Sequence, residues 1–97
     1  MQGRRVFEEA PGHIPSLLDG DYVMITDLRD GIPYWYAKTP NGYQCNLRNH
    51  KIEEHADGTI TVSPSILVST AKPDPGGILT SYQVWHGFLE KGKWREA

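Results

Sequence analysis

The sequence has a single cysteine, Cys45, among its 97 residues. One cysteine excludes a disulfide within the chain and suits a reducing compartment. No apolar run is long enough for a membrane span, and the arginine-bearing first 20 residues lack the apolar stretch of a signal peptide. We therefore expect a cytoplasmic protein that makes no membrane contact.

The sequence also lacks an excess of basic residues. Ten lysines and arginines stand against twelve aspartates and glutamates, so the net charge is −2. Proteins that bind nucleic acids or membrane surfaces normally carry a basic excess, so a nucleic-acid partner is not expected. The hydrophobic fraction of 38% suffices for one modest core, which predicts a single β domain over residues 1–97.

What the chain does contain is a repeated turn signal, a three-residue loop that ends in glycine between two runs able to form strands. Glycine is favoured at the last position because that position needs a positive φ. The loops are Arg29-Asp30-Gly31, Pro40-Asn41-Gly42, Ala56-Asp57-Gly58 and Glu90-Lys91-Gly92. They predict an all-β antiparallel meander of six to seven strands, forming a small barrel or a two-layer sandwich.

The third loop allows two registers. A two-residue Asp57-Gly58 loop would leave Ile52 on the threonine face of the hairpin. A three-residue loop places Ile52 opposite Val62, on one face with Ile60, and this alternative is preferred because a one-residue slip would scatter the apolar side chains. The same loop type predicts Ile25 opposite Trp35 around the first loop and Trp35 opposite Leu47 around the second.

The remaining segments carry weaker patterns. Residues 1–12 are expected to form either a flexible arm or an edge strand anchored by Val6 and Phe7. At most one short helical turn is predicted, over 14–18, because proline suits the first helical position. Pro64 is expected at an edge, a bulge or a strand end. Two prolines and a double glycine make residues 69–77 a mobile surface loop.

The strand predicted over 79–89 is the longest. Its two faces carry Tyr82, Val84, His86 and Phe88 on one side, and Gln83, Trp85, Gly87 and Leu89 on the other. The last loop is predicted to set Phe88 opposite Trp94, a strong apolar pair. We therefore expect Trp85 to be at least partly exposed, in a patch with Leu89 beside the 69–77 loop.

Three tryptophans and five tyrosines exceed what so small a core must hide, and these residue types anchor interfaces. The alternative is that all eight fill the core. The predicted binding residues are Trp85, Leu89, Tyr34, Tyr36 and Tyr43. The expected function is a non-enzymatic binding protein that contacts a protein partner or a second copy of itself.

Two enzymatic alternatives compete with this function. Cys45, His50 and His86, together with His55, are candidate metal ligands, but no two of them have the short spacing of a structural zinc motif. No metal or cofactor is therefore expected. The chain also lacks a Gly-x-Ser-x-Gly motif, and serines beside proline usually form turns.

A hydrolytic triad would need Ser63 or Ser65, which flank Pro64, to meet His86 and either Asp57 or Glu54.

A small metal-assisted hydrolase, or a degenerate relative of one, is the first alternative function. The second is a single-strand nucleic-acid binder that combines aromatic and basic side chains. Its residues would be Tyr34, Tyr36, Tyr43, Lys38, Arg48 and Lys51.

Four short motifs in the second half of the chain are Asp57-Gly58-Thr59, Pro64-Ser65-Ile66, Trp85-His86-Gly87-Phe88-Leu89 and Gly92-Lys93-Trp94. Over roughly residues 34–94 the chain thereby resembles a family of small uncharacterised proteins of bacteria and their phages. That family has a Cys-x-Cys-Gly-Cys-type cluster, where this chain has YWYAKTPNG followed by Cys45 alone. The resemblance implies a bacterial or phage accessory protein of the host cytoplasm that lacks most of any metal-ligand set the family has, and it implies no reaction.

Overall fold

The computed structural model describes all 97 residues and contains nine strands and no helix. It therefore contains no helix of the length and apolarity that a membrane crossing needs. The strands are β1 (Arg4–Phe7), β2 (Asp21–Thr26), β3 (Pro33–Lys38), β4 (Gln44–Asn46), β5 (Lys51–Glu54), β6 (Ile60–Ser63), β7 (Ile66–Pro73), β8 (Leu79–Glu90) and β9 (Lys93–Glu96).

The strands form three small sheets. The first has the order β1-β2-β3-β4, the second pairs β5 with β6, and the third has the order β7-β8-β9. Neighbouring strands are antiparallel except β1, which runs parallel to β2. The all-β prediction is confirmed. The chain is a sandwich-like meander rather than a closed barrel, with more strands than predicted.

The main core lies where the three sheets meet, and each sheet contributes buried side chains to it. Its members are Tyr22, Trp35, Ala37, Leu47, Ile60, Val62, Ile66, Val68, Trp85, Leu89 and Trp94. A smaller cluster of Leu17, Val23 and Ile25 covers the other face of the first sheet. Both faces of β2 are therefore buried, one against the other two sheets and the other under the segment that carries Leu17.

Of the two alternatives for the N-terminus, the edge strand is present, and no helical turn forms over 14–18. β1 pairs with β2, and the Arg4 guanidinium forms two hydrogen bonds, of 3.0 and 2.7 Å, with the buried Asp21 carboxylate. The Leu18 amide also donates to Asp21, at 2.9 Å, while Leu17 is buried in the small cluster. These contacts hold residues 14–18 as irregular chain, so the expectation of at most one helical turn is met with none.

The second and third predicted loops are confirmed. Thr39 pairs with Tyr43 around the second, and Gly42 has φ +93°. The third sets Ile52 opposite Val62, and Gly58 has φ +86°. In both hairpins the glycine conformation and the buried face agree, so local turn chemistry and burial specify the same register.

The register around the first loop was predicted wrongly by one residue. The Asp27 amide donates to the Ile32 carbonyl, at 3.3 Å, so the loop is four residues long. The Asp27 carboxylate accepts the Arg29 amide at 2.9 Å, which favours this longer turn. Trp35 consequently lies opposite Met24 and faces the main core, while Ile25 faces the small cluster.

The last loop is one residue shorter than predicted. Lys91 and Gly92 both have positive φ, 47° and 77°, as a two-residue type I′ turn requires. Their amides donate to Thr61 Oγ1 and the Ile60 carbonyl, at 2.9 and 3.0 Å. These bonds to β6 support an unusual backbone conformation for lysine. Trp94 therefore lies opposite Leu89, not Phe88.

Pro64 lies between β6 and β7, at a strand end as expected, and follows a cis peptide bond. The predicted mobile loop over 69–77 is mostly strand, because β7 continues to Pro73 and pairs with the start of β8. Only the tip between Pro73 and Leu79 is a turn. We call residues 69–83 the distal ribbon.

Candidate functional site

Trp85 and Leu89, the centre of the predicted binding patch, belong to the main core. Their exposed fractions are 5% and 0%, and the rings of Trp85 and Trp94 meet edge to face with centroids 5.4 Å apart. The exposure prediction is therefore wrong. The shorter last loop turns Trp94 toward the Trp85 face of β8, and Gly87 has no side chain, which leaves room for the Trp85 ring over its backbone.

The three predicted tyrosines do not form one platform. Tyr34 and Tyr36 pack against the small cluster, while Tyr43, opposite Thr39, projects from the other face of the sheet. The Tyr34 ring is covered by the Arg48 guanidinium, 3.7 Å from its centroid. Two of the three rings are thus on a different face from the third, which argues against a stacking surface for bases.

The basic side chains near these rings are engaged by acidic ones. Asp27 accepts hydrogen bonds from Arg29 and from Arg48, at 3.0 and 2.8 Å, so these cations hold the pKa of its carboxyl well below the usual range. Lys38 donates to the Leu17 carbonyl at 3.3 Å and lies 3.7 Å from Asp19. The proposed nucleic-acid residues Arg48 and Lys38 are therefore committed within the fold.

The histidines among the candidate metal ligands are each engaged by other groups of the protein, and two of them, His50 and His86, contact the same residue, Ser65. His50 Nε2 lies 3.1 Å from the Ser65 carbonyl oxygen, and His55 Nε2 lies 2.7 Å from Thr61 Oγ1. Burial raises the pKa of the Cys45 thiol to about 11, so the thiolate that a metal requires is disfavoured. No three histidine, cysteine or acidic side chains come together as a ligand set.

Part of the predicted hydrolytic triad is assembled. His86 Nε2 lies 2.9 Å from Ser65 Oγ, the contact that a nucleophile and its base require. The acidic members are elsewhere, because Asp57 accepts both hydrogen bonds of Thr59 and Glu54 pairs with Arg5 at 2.6 Å. No carboxylate forms an ion pair with His86, so the pair lacks the group that would orient the imidazole.

The distal ribbon was not predicted from the sequence. Both faces of the ribbon are exposed to solvent along nearly its whole length. None of its residues makes a side-chain hydrogen bond or ion pair outside the ribbon. The molecule is 49 Å long and has a radius of gyration of 14.4 Å, against about 12.5 Å for a compact chain of this length. The ribbon therefore projects from the body of the protein.

The ribbon carries three large exposed apolar side chains, Ile78, Leu79 and Tyr82, and Leu67, two residues before the ribbon, is exposed as well. Its only charged residues are Lys72 and Asp74. Soluble proteins normally keep projecting elements polar, and apolar surface with little charge is typical of contact sites.

A β-bulge separates the ribbon from the body. Val68 pairs with Trp85, but Ser69 pairs with Gln83, so β8 has one extra residue at this point. Because paired residues share a face, Tyr82 lies on the Trp85 side of the sheet, and Leu79 lies on the other side with Leu67. The predicted face of Tyr82, His86 and Phe88 is therefore interrupted at the bulge.

A scan against protein-family models, a search of curated proteins and a search of solved structures found no match to this chain.

Proposed function

We propose that this protein is a non-enzymatic accessory protein that binds another protein through its distal ribbon. The observation that carries the proposal is the exposure of Ile78, Leu79 and Tyr82 on a ribbon that nothing else in the chain covers. Aromatic and aliphatic side chains in a charge-poor surface are the residue types that anchor protein contacts.

The energetics of the ribbon support the same conclusion. Its five residue pairs, from Ser69–Gln83 to Pro73–Leu79, extend for about 17 Å. A two-stranded ribbon without a packed face is marginally stable in water. Contact with a partner would bury the apolar side chains and stabilise the ribbon, so binding and ordering of this element favour each other.

The biological setting follows from the family resemblance over residues 34–94. We place the protein in the cytoplasm of a bacterial host and assign it to a phage or prophage, where it acts by occupying a surface of a host or phage protein. The hydrolase alternative has the contact between Ser65 and His86 in its favour. It lacks an orienting carboxylate, which is why the binding function is preferred.

The test compares two leucines of equal exposure. Leu79 in the ribbon and Leu28 in the first loop are both 70% exposed. Immobilised wild-type protein, Leu79→Asp and Leu28→Asp are each passed through a bacterial lysate. We expect one or more proteins to be retained by the wild type and by Leu28→Asp and to be lost with Leu79→Asp, because a charge in an apolar contact must be desolvated.

A circular dichroism spectrum of each variant checks that the fold is retained. Retention of the same proteins by Leu79→Asp, or their loss with Leu28→Asp alone, would contradict the assignment to the ribbon.

A further inference from the structure

The backbone groups on the outer edge of β8 can be assigned from the turn at the ribbon tip. The Asp74 amide donates to the Ile78 carbonyl at 2.9 Å. In an antiparallel pair, successive residues of one strand turn their N–H and C=O groups alternately toward the partner strand and away from it. Thr80 and Tyr82 therefore bond to β7, and the backbone groups of Leu79, Ser81 and Gln83 point outward.

These outward groups form a free edge of defined length. At the end near the body, Asn41 Nδ2 donates to the Val84 carbonyl at 3.1 Å. From His86 onward the edge is occupied by the C-terminal segment, since the Ala97 amide donates to the His86 carbonyl at 2.9 Å and β9 pairs from Gly87. At the other end the strand begins at Leu79. The free edge thus consists of the backbone groups of 79, 81 and 83.

The two edges of the ribbon differ in how they are protected. On the β7 edge Pro73 has no N–H to offer, and Lys72 stands beside it. Proline and lysine are the residues that natural proteins use to prevent edge pairing. Residues 79–83 of β8, Leu-Thr-Ser-Tyr-Gln, contain neither. The β8 edge is therefore open to a further strand.

We propose that this strand is the β8 of a second copy of the chain, paired antiparallel with Ser81 on the two-fold axis. In that register Ser81 lies opposite its own copy and Leu79 lies opposite the partner's Gln83. Both are hydrogen-bonded pairs, so every outward N–H and C=O of 79, 81 and 83 in both copies is satisfied. A shift of the register would leave some of them unpaired.

The side chains favour the same register. Thr80 lies opposite the partner's Tyr82, a β-branched and aromatic pair of the type that stabilises antiparallel sheets. Residues 79–83 carry no charge, so no like charges are placed opposite each other in a two-fold pairing. The result is a four-stranded sheet, β7-β8-β8-β7, which also supplies the strands that an isolated ribbon lacks.

This pairing rests on the proposed function, because both treat the ribbon as an interaction element. The pairing uses the backbone edge of the ribbon, whereas the proposed function uses its apolar side chains. Five residues per strand bury less surface than a standard interface. We therefore expect a weak dimer, with a dissociation constant on the order of 10 µM.

The test uses charges placed on the proposed axis. Sedimentation equilibrium of the full chain should show concentration-dependent dimers for the wild type. Ser81→Lys and Ser81→Glu should each weaken the dimer by about tenfold or more, since each places like charges directly opposite. An equimolar mixture of the two should dimerise again, because lysine then faces glutamate.

Ala71→Lys is the matched control. Ala71 is exposed and pairs with Ser81 across the ribbon, but in the four-stranded sheet it lies one strand away from the axis. This variant should dimerise as the wild type does. A wild type that remains monomeric at millimolar concentration, single variants that dimerise normally, or a mixture that fails to recover would each overturn the proposal. A wild type that is monomeric alone and gains hydrogen-exchange protection at 79, 81 and 83 only with another protein would assign the edge to that protein instead.

The dimer and the proposed function can fail separately. If Leu79→Asp and Leu28→Asp differ in lysate capture while the wild type is monomeric, the function stands and the pairing fails. If the charge-swap pair behaves as expected and no lysate protein distinguishes the leucine variants, the pairing stands alone.

Discussion

The two halves of β8 belong to one continuous strand but have opposite environments. From Trp85 to Leu89 the inward side chains are buried between three sheets, whereas from Leu79 to Gln83 both faces meet solvent. The bulge between these halves marks the change. Strand formation alone therefore says little about stability, because the outer half pairs with β7 only and has no packed face, whereas the inner half pairs with both β7 and β9 and is packed.

The largest effect is expected at Trp85. Trp85→Ala should lower the free energy of unfolding by about 3–5 kcal/mol, since it removes a buried aromatic and leaves a cavity against Trp94. Urea unfolding followed by fluorescence or circular dichroism measures the change. Tyr82→Ala, which removes an aromatic that is 46% exposed in the other half of the strand, should cost less than about 1 kcal/mol. Equal costs would mean that the ribbon is packed as firmly as the body.

A pair of leucines sharpens the comparison, because the residue type and the strand are the same. Leu89→Ala should cost about 2–5 kcal/mol, as Leu89 is fully buried. Leu79→Ala should change the unfolding free energy by no more than about 0.5 kcal/mol, as Leu79 is exposed. Denaturant midpoints of the two variants check this. A large cost at Leu79 under conditions where the chain is monomeric would contradict the exposed ribbon.

The last comparison concerns the dependence of stability on acid pH, which should come from ion pairs outside the ribbon. Hydrogen bonds and charge from Arg29 and Arg48 lower the pKa of the Asp27 carboxyl. Desolvation raises the pKa of the Asp21 carboxyl, but hydrogen bonds from Arg4 and the Leu18 amide outweigh it and lower the pKa. A carboxyl whose pKa is lower in the folded state stabilises the protein above its unfolded pKa and loses this contribution as the pH falls through the folded value. The denaturant midpoint should therefore fall progressively below about pH 4.

Replacement of Asp27 by asparagine should make the dependence of the midpoint on pH shallower. A midpoint that stays constant from pH 6 to pH 2, or an unchanged slope in the variant, would show that these ion pairs do not contribute as the geometry indicates.

The sequence was sufficient for the fold class and for two registers, because Gly42 and Gly58 close loops in which turn chemistry and burial agree. It was insufficient around the first loop, where the Asp27 carboxylate stabilises a longer turn, and at the last loop, where Lys91 adopts a positive φ supported by β6. The Asp27 contact is local, but Asp27 was predicted as the end of a strand and not as the start of the turn, and the contact of Lys91 with β6 has no signal in the local residue pattern.

Small register errors had large consequences for the site. One residue at the last loop moved Trp94 to the Trp85 face, and the predicted patch of Trp85 and Leu89 became core. The strands of the ribbon were not predicted for a different reason, since Pro73 and Pro75 with two glycines are typical of a loop. Pro73 is accommodated because its missing N–H would have pointed away from β8 in any case.

The unbroken run of β8 also has a mechanical meaning. Tension applied at the ribbon tip acts along both strands of the hairpin, parallel to their length, and does not open their hydrogen bonds one at a time. The load reaches the body as shear between β8 and β9, where Leu89 lies opposite Trp94. Because shear loads all the bonds of that ladder together, a pull on the ribbon is borne by the most deeply buried part of the molecule.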